Sequence, residues 1–541
     1  MTELVWEGKY KDGKKVAPVR IALPFQTIET VNESAQERQR MLDLFSVGRD
    51  PEWRNRLIWG DKKYVLPSLL PEFVGKVDLI YIDPPFDTGA DFSFTATIPD
   101  DPMTGEDETA SFVKEPSVIE QKAYRDTWGR GLDSYLEWFY ETTIFLHELL
   151  TETGSLFVHL DDNVGTYAKV ILDEVFGIGC YQSEVIWQRT DPHNDARYKF
   201  GNIHDTIYWY GKNSRPTYFP EAVRTSLSVS ALAEYSLLEL PNGTVVPFAG
   251  NERRPGRRFK LDDATWRGSN PKKKFSWRGA TPSHNREWMY TLEEMEAALK
   301  RGELYLRDPN KGAARCKKSY LDENKGIYLQ DIWTDAGRMK GGSSYATEKP
   351  EPLLERIISA STKEHDLVLD CFCGSGTTAA VAEKLNRRWI ACDLGRFAIH
   401  MSRKRLLSIQ NVKPFVVQNL GKYERQAWQM AEFTTPADQT QKELRYRNFI
   451  LELYRAEPVT GYSWLHGLKQ GHMVYVGSVD TPVTLSDVKA ISAEVWRSVG
   501  KGKASAREAA VDVLGWEFAL EVNEVAKQIA AESNSAGVPR L

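Results

Sequence analysis

Asp83-Pro84-Pro85-Phe86 is the stretch whose residue types could do chemistry together. Two consecutive prolines fix φ twice and remove two backbone donors, so the turn offers one carboxylate, bare carbonyl oxygens and an aromatic ring. This is an acceptor-only clamp with a stacking platform. Its complement is an exocyclic amino group on a flat nucleobase, which brings two N–H donors and a π face. Asp83 and the Pro84 carbonyl could each accept one of those hydrogens while Phe86 stacks on the ring. Held in that way, the nitrogen lone pair leaves conjugation and becomes able to attack an electrophilic methyl. The clamp alone does not separate adenine from cytosine, and the same tetrapeptide also occurs as a plain strand-ending turn.

A second stretch, Asp370-Cys371-Phe372-Cys373-Gly374-Ser375-Gly376-Thr377-Thr378, follows an apolar run and leads into a helical pattern. Glycines at a strand-to-helix turn let a ligand approach the backbone closely. The next strand pattern ends at Asp393, where a carboxylate suits the two hydroxyls of a ribose. A nucleoside-bearing cofactor is the expectation. Gly374 to Ala379 also fits G-x-G-x-x-A, which serves dinucleotides, and no GK[ST] is present for ATP phosphates. The partnership with Asp83 favours a methyl donor, since a nicotinamide oxidoreductase would leave the Pro-Pro clamp without a use.

The elements that must position these residues read as strand, helix, strand. A strand at Leu57 to Trp59 precedes a helix through Val65 to Leu70 and the strand Val77 to Ile82, which delivers Asp83. Further on come a helix from Ser134 to Leu150, a strand from Ser155 to Leu160, a helix through Val170 to Val175, and strands at Ser183 to Gln188 and Thr206 to Tyr210. The pattern stops near Lys212 and resumes with a helix after Pro350 and the strands Leu367 to Asp370 and Arg388 to Cys392. That alternation predicts an α/β fold, a doubly wound and mostly parallel sheet with helices on both faces and sites at the carboxyl ends of its strands. Asn32 to Phe45 reads as a polar surface helix, and the long polar stretch Asp87 to Thr127 as a lid beside the clamp. His193 is assigned no role.

Between Asn251 and Ala280 lie ten basic residues (Arg253, Arg254, Arg257, Arg258, Lys260, Arg267, Lys272, Lys273, Lys274, Arg278) against three acidic ones, net +7 in a chain of net −5. Phe259, Trp266, Phe275 and Trp277 interleave with them, and Lys311, Arg315, Lys317 and Lys318 follow. Cations for phosphates and aromatics for stacking are the footprint of a polynucleotide surface. A catalytically silent DNA-binding protein would show it too. With 41% hydrophobic and 27% charged residues the chain is of ordinary globular composition, long enough for several cores. Its five cysteines form no paired metal-ligand spacing, and no apolar run is long enough to span a membrane. A cytoplasmic protein without a metal is expected.

With IYIDPPF first, the basic insert second, and TEKPEPLLERII, LDCFCGSGTT and WIACD last, the chain resembles the amino-directed DNA methyltransferases of the β arrangement. The chain is similar in kind to the modification subunits of type III restriction systems, and the likeness covers roughly Arg56 to Leu407. The resemblance implies a Rossmann-like S-adenosylmethionine-dependent methyltransferase fold with an inserted target-recognition region. It implies that Asp83, Pro84, Pro85 and Phe86 hold a flipped-out base. Asp370, Phe372, Gly374, Gly376 and Thr377 would line the cofactor site, Asp393 would take the ribose, and Thr347 and Lys349 would lie near the methionine end. It also implies double-stranded DNA as partner, adenine N6 as target, any restriction activity on a separate helicase-nuclease subunit, and room for a homodimer. Phe86 stands where a Tyr is commoner. The expected division is 1–55 as an N-terminal extension, 56–212 as the catalytic half, 213–344 as the insert, 345–410 as the cofactor half and 411–541 as a C-terminal accessory region. Within the last, a strand at Met473 to Val476 and helices near Ser486 to Trp496 and Val522 to Ala531 are expected.

Overall fold

The computed structural model describes residues 3–32, 53–85, 94–97, 111–114, 131–192, 200–249, 254–338, 347–421, 439–478, 481–499, 511–515 and 518–519. The expected helices at Asn32 to Phe45 and Val522 to Ala531, His193, and most of the Asp87 to Thr127 stretch lie outside them.

A ten-stranded sheet organises the larger of two compact units, residues 1–219 and 331–541. In chain order its strands are β1 (Gln26–Val31), β2 (Asn55–Trp59), β3 (Val77–Ile82), β4 (Leu150–Leu160), β5 (Tyr181–Gln188), β6 (His204–Gly211), β7 (Ile332–Trp333), β8 (Leu367–Asp370), β9 (Arg388–Asp393) and β10 (Phe415–Asn419). Their spatial order is β7-β5-β6-β4-β3-β8-β9-β2-β10-β1. Neighbours are parallel except where β6 meets β4 and β5, and where β1 meets β10. Helices α1 (Lys62–Phe73), α2 (Leu132–Leu149) and α3 (Gly165–Phe176) pack against one another, as do α4 (Glu351–Ser361), α5 (Thr377–Lys384) and α6 (Arg396–Leu407).

Strands buried on both faces must be apolar along their length rather than alternating, which is the composition of β3, β8 and β9. Ile80, Ile82, Leu369, Ile390 and Cys392 share one core with α1 to α3, including Val65, Leu69, Phe139, Leu146 and Ile171. The intervening residues Leu79, Val368 and Ala391 are buried as well, and α4 lies against β3. The chain runs outward from β3 to β4 on one side and from β8 to β9 on the other, so β3 and β8 bracket the topological switch point. Their pairing, Val368 to Leu79 and Leu369 to Ile80, is reinforced by the Asp78 carboxylate, which accepts the Leu367 N–H at 2.8 Å.

Three expected boundaries differ from the structure. The 1–55 segment contributes β1 to the main sheet, and the region after 410 contributes β10. β1 is a mostly exposed edge strand, so QTIETV carries no apolar alternation to betray it. The smaller compact unit is 220–330 rather than 213–344, because β7 pairs with β5 and belongs to the larger unit. Two residues are too few to show a period. Lys9 is buried beside Glu174 of α3 at 2.7 Å and lies over Trp6 at 4.5 Å, which straps the N-terminal segment across the helices.

Unit 220–330 has a four-stranded antiparallel sheet, ordered 245–247, 237–239, 257–263, 315–320, and a second core around Trp277, Trp288, Met295 and Cys316. Its helix Leu292–Lys300 starts with a capping box between Thr291 and Glu294. Near the C-terminus, the strand His472–Val476 and the helix Leu485–Val499 pack through Tyr475, Ile491 and Val495.

Candidate active site

β3 ends at Ile82 and hands Asp83 to the carboxyl edge of the sheet beside β8. One carboxylate oxygen of Asp83 pairs with Lys349 Nζ, from the segment leading into α4 and 266 residues away in sequence. The other, Oδ1, is buried and has no hydrogen-bond partner among the described residues. Pro84 is buried behind it and Pro85 is half-buried. Phe86 lies outside the described residues. Below Asp83 on the same face, the Tyr81 hydroxyl meets His159 Nδ1 at 2.9 Å, and His159 Nε2 meets Asp205 Oδ2 at 3.0 Å. The half-buried Arg189 guanidinium donates to Asp205 Oδ1 at 2.8 Å and ends this polar row. Burial, with the fields of Asp83, Asp370 and Asp205, pushes the Tyr81 hydroxyl far up and keeps it un-ionised.

At the end of β8, Asp370 accepts the Phe372 N–H at 2.9 Å and the Thr378 hydroxyl at 2.6 Å. Burial pushes its carboxyl up to about 7, against those two hydrogen bonds and with help from Asp83 and Asp393. Asp393, closing β9, is held by two backbone donors: Gly374 N–H to Oδ2 at 2.9 Å and Gly395 N–H to Oδ1 at 2.8 Å. Gly376 has φ +77, and a Cβ there would stand 2.6 Å from Ser402 Oγ of α6. Its glycine is therefore demanded by the left-handed turn and by helix packing. Thr377 is buried at the start of α5 beside Ser375, and Thr347 is exposed just ahead of Lys349. The structure thus gathers Asp83 with Lys349, and Asp370, Phe372, Gly374, Gly376 and Thr377 with Asp393.

Two residues that carry no signal in the sequence stand next to this turn. The half-buried ring of Trp138, from α2, lies 5.4 Å from that of Phe372. Lys62, the first residue of α1, is 8% exposed and holds its Nζ 4.1 Å above the Trp138 ring. Burial lowers this ammonium to about 8, with Asp61 and Glu141 opposing. In GDKKY it looks like any surface lysine; only an apolar neighbourhood supplied by α2 distinguishes it.

The basic segment is more neutralised than its composition suggests. Arg257 pairs with Asp322 at 2.8 Å and Glu323 at 2.6 Å, and Lys260 with Glu234 at 2.9 Å. Arg258 is tied to the Tyr235 and Leu232 carbonyls. Lys273 and Lys274 donate to the Met289 and His284 carbonyls, both at 2.8 Å. Arg278 pairs with Glu296 at 3.0 Å and Lys318 with Glu239 at 2.8 Å. Arg254 also has a partner, and Arg253 lies outside the described residues. Exposed Arg267, Lys272 and Lys311, by contrast, make no side-chain hydrogen bond or ion pair among the described residues, and Trp266, next to Arg267 in the chain, is 47% exposed. Across 220–330 twenty basic residues face fourteen acidic ones, so a positive balance survives.

A family model described as DNA methylase matches residues 77–239 and 249–404. The type II methyltransferase M.EcaI of Enterobacter cloacae is 26% identical over 363 residues, 65% of this chain and 69% of that protein. The Mod subunit of the type III restriction-modification enzyme StyLTI of Salmonella typhimurium is 25% identical over 365 residues, 63% of this chain and 52% of its own length. The EcoPI Mod subunit of Escherichia phage P1 is 24% identical over 409 residues, 70% of this chain and 61% of its own. The chain thus spans between about half and two thirds of these relatives.

Proposed function

Because this chain belongs to the DNA methylase family, we propose that it methylates the N6 amino group of adenine in double-stranded DNA at a specific sequence, with S-adenosylmethionine as methyl donor. The observation that carries the reading is the buried, unpartnered Oδ1 of Asp83 at the switch point of the sheet. A buried acceptor without a donor calls for one from outside, and an amino group brings two. The residues at the neighbouring strand ends suit the cofactor. A carboxylate at the end of β9 faces a glycine turn at the end of β8 with no lysine of an ATP loop, which is the donor set of a nucleoside site.

Asp370, Phe372, Gly374, Gly376, Thr377 and Asp393 would hold the nucleoside part of the cofactor, and Thr347 and Lys349 its methionine end. When bound, S-adenosylmethionine supplies an electrophilic methyl group on a sulfonium. Asp83 accepts one amino hydrogen of the target and the Pro84 carbonyl the other, which fixes the nitrogen and turns its lone pair outward. Lys349 keeps the remaining Asp83 oxygen from rotating into the site. The amino nitrogen gains a methyl and afterwards loses a proton, so catalysis is positioning and electrostatics. An amino group within a duplex does not reach such an edge, so the base is flipped out and stacked on Phe86. Trp266, Arg267, Lys272 and Lys311 are the residues we assign to DNA contact. By analogy with the Mod relatives, the protein serves a cytoplasmic restriction-modification system and is joined by a separate restriction subunit. No described helix is long and apolar enough to cross a membrane.

Digestion of DNA from cells expressing the protein, followed by nucleoside mass spectrometry, tests this. N6-methyladenine is expected. N4-methylcytosine would move the target base, and the absence of both methylated bases would overturn the reading.

A further inference from the structure

Lys62 is buried, begins α1 directly after Asp61, and has its Nζ over the face of Trp138, which in turn packs on Phe372 of the glycine turn. Among the described residues it makes no hydrogen bond and no ion pair. Asp61 is occupied in capping α1, where it accepts the Lys63 N–H at 2.8 Å, and Glu141 of α2 acts only at a distance. A buried ammonium that lacks an acceptor is costly. Lysines that pack their stems on apolar surface ordinarily send the charge outward; this one is turned in over an indole.

The strand order says what lies opposite. Across the sheet the sequence of neighbours is β3, β8, β9, β2. Asp83 and Lys349 stand at the β3 end, where the methyl-bearing end of the cofactor belongs, and Asp393 closes β9, where the ribose belongs. The group carried on the far side of the ribose therefore points toward β2, whose end runs through Gly60 and Asp61 into Lys62. On that side of the nucleoside sits the base. Adenine offers ring-nitrogen acceptors and a flat face, which match an ammonium backed by aromatic rings.

We propose that Lys62 is a further cofactor-binding residue, whose ammonium donates a hydrogen bond to a ring nitrogen of the cofactor's adenine with Trp138 and Phe372 as the adjoining wall. The inference rests on the cofactor assignment made above. It carries a proton-linked signature. Free Lys62 is held down to about 8 by burial, with Asp61 and Glu141 raising it and Lys63 lowering it, while the Cys371 thiol at the end of β8 is itself pushed far up by burial and stays neutral. An adenine acceptor stabilises the charged form, so binding takes up a proton when the pH exceeds 8, and affinity falls as pH rises through that value.

The test is calorimetric titration of the full chain with S-adenosylhomocysteine at pH 7 and pH 8.8, each in two buffers of different ionisation enthalpy. The parent and Lys62→Met are compared, and 1-deaza, 3-deaza and 7-deaza adenine analogues of the ligand are included. The parent should take up a proton at pH 8.8 and scarcely any at pH 7. Lys62→Met should take up none and bind on the order of tenfold more weakly at pH 7. One deaza analogue should lose that same factor against the parent and nothing against the variant. Equal affinity and equal proton count in Lys62→Met would overturn the proposal. So would a parent that takes up no proton and binds all three analogues like the unmodified ligand, a result that decides the matter even if Lys62→Met fails to fold. A parent that does not bind S-adenosylhomocysteine at all would overturn the methyltransferase reading itself, a different failure from a silent Lys62.

Discussion

Replacing Lys349 by Met should destabilise the larger unit by about 3–5 kcal/mol, the cost of breaking a buried ion pair from one side. The side chains of Lys349 and Asp83 are 8% and 15% exposed, so water screens little of the pair. Asp83 Oδ1 has no partner among the described residues to fall back on, and removing Lys349 strips its second oxygen as well. Most of the cost is then the stranded carboxylate rather than the lost attraction. Changing Asp83 to Asn in the same chain removes that stranded charge. The double variant Lys349→Met/Asp83→Asn should therefore be more stable than Lys349→Met alone, with a coupling of about 1–3 kcal/mol. Urea unfolding of the four proteins at pH 7, followed by far-ultraviolet circular dichroism, closes the cycle. Additivity to within ~0.5 kcal/mol would refute the reasoning, because it would mean that the two groups are solvated independently.

Asp83→Asn, with one acceptor oxygen in place of two, should lower methyl transfer by about 10²–10³-fold while S-adenosylhomocysteine binding stays within a few-fold of the parent; Asp393→Ala should instead weaken that binding first, and equal loss in both would contradict the division. Asp370, whose native carboxyl is pushed up to about 7, favours the fold while protonated, so its contribution is present at acid pH and lost as pH rises through 7. Asp370→Asn should flatten the parent's decline in stability between about pH 4 and 7, at ~1.4 kcal/mol for each pH unit by which burial delays ionisation; identical pH profiles would refute it. Replacing Arg267, Lys272 and Lys311 with Gln should reduce the log-log salt slope of DNA binding by about 0.9 for each phosphate no longer neutralised, whereas Arg257→Gln should act mainly on thermal stability because it breaks the pairs with Asp322 and Glu323.

The strands that bear the site were legible because burial on both faces writes itself as unbroken apolar runs: Val77 to Ile82 and Leu367 to Asp370 were read within a residue of their observed ends. Asp83, Asp370 and Asp393 followed as the first acids after such runs. The partners of these acids were not legible. Lys349 reaches Asp83 across 266 residues, and no local pattern encodes a pairing that exists only once β3 and β8 are side by side. Lys62 was hidden for the same reason, since its burial comes from α2. The basic segment misled in the opposite direction. Its charges are plain in sequence, but the carboxylates that quench Arg257, Lys260 and Lys318 come from Asp322, Glu323, Glu234 and Glu239, outside the counted window.

The pairing of β3 with β8 also sets a schedule for synthesis. Asp78 and Leu367, joined by a hydrogen bond, are separated by 289 residues, which at ribosomal rates of roughly 5–20 residues per second is an interval on the order of 15–60 s. Through that time the nascent chain holds β3 and β4 with one edge of β3 lacking its neighbour, and an open apolar edge is a template for pairing with other chains. Unit 220–330, with its own sheet and core, emerges during the wait and can fold as a body before the edge is closed. The clamp and the glycine turn are thus brought together only after β8 has emerged, and a chain stopped before Lys349 carries Asp83 without either the strand or the lysine that completes it.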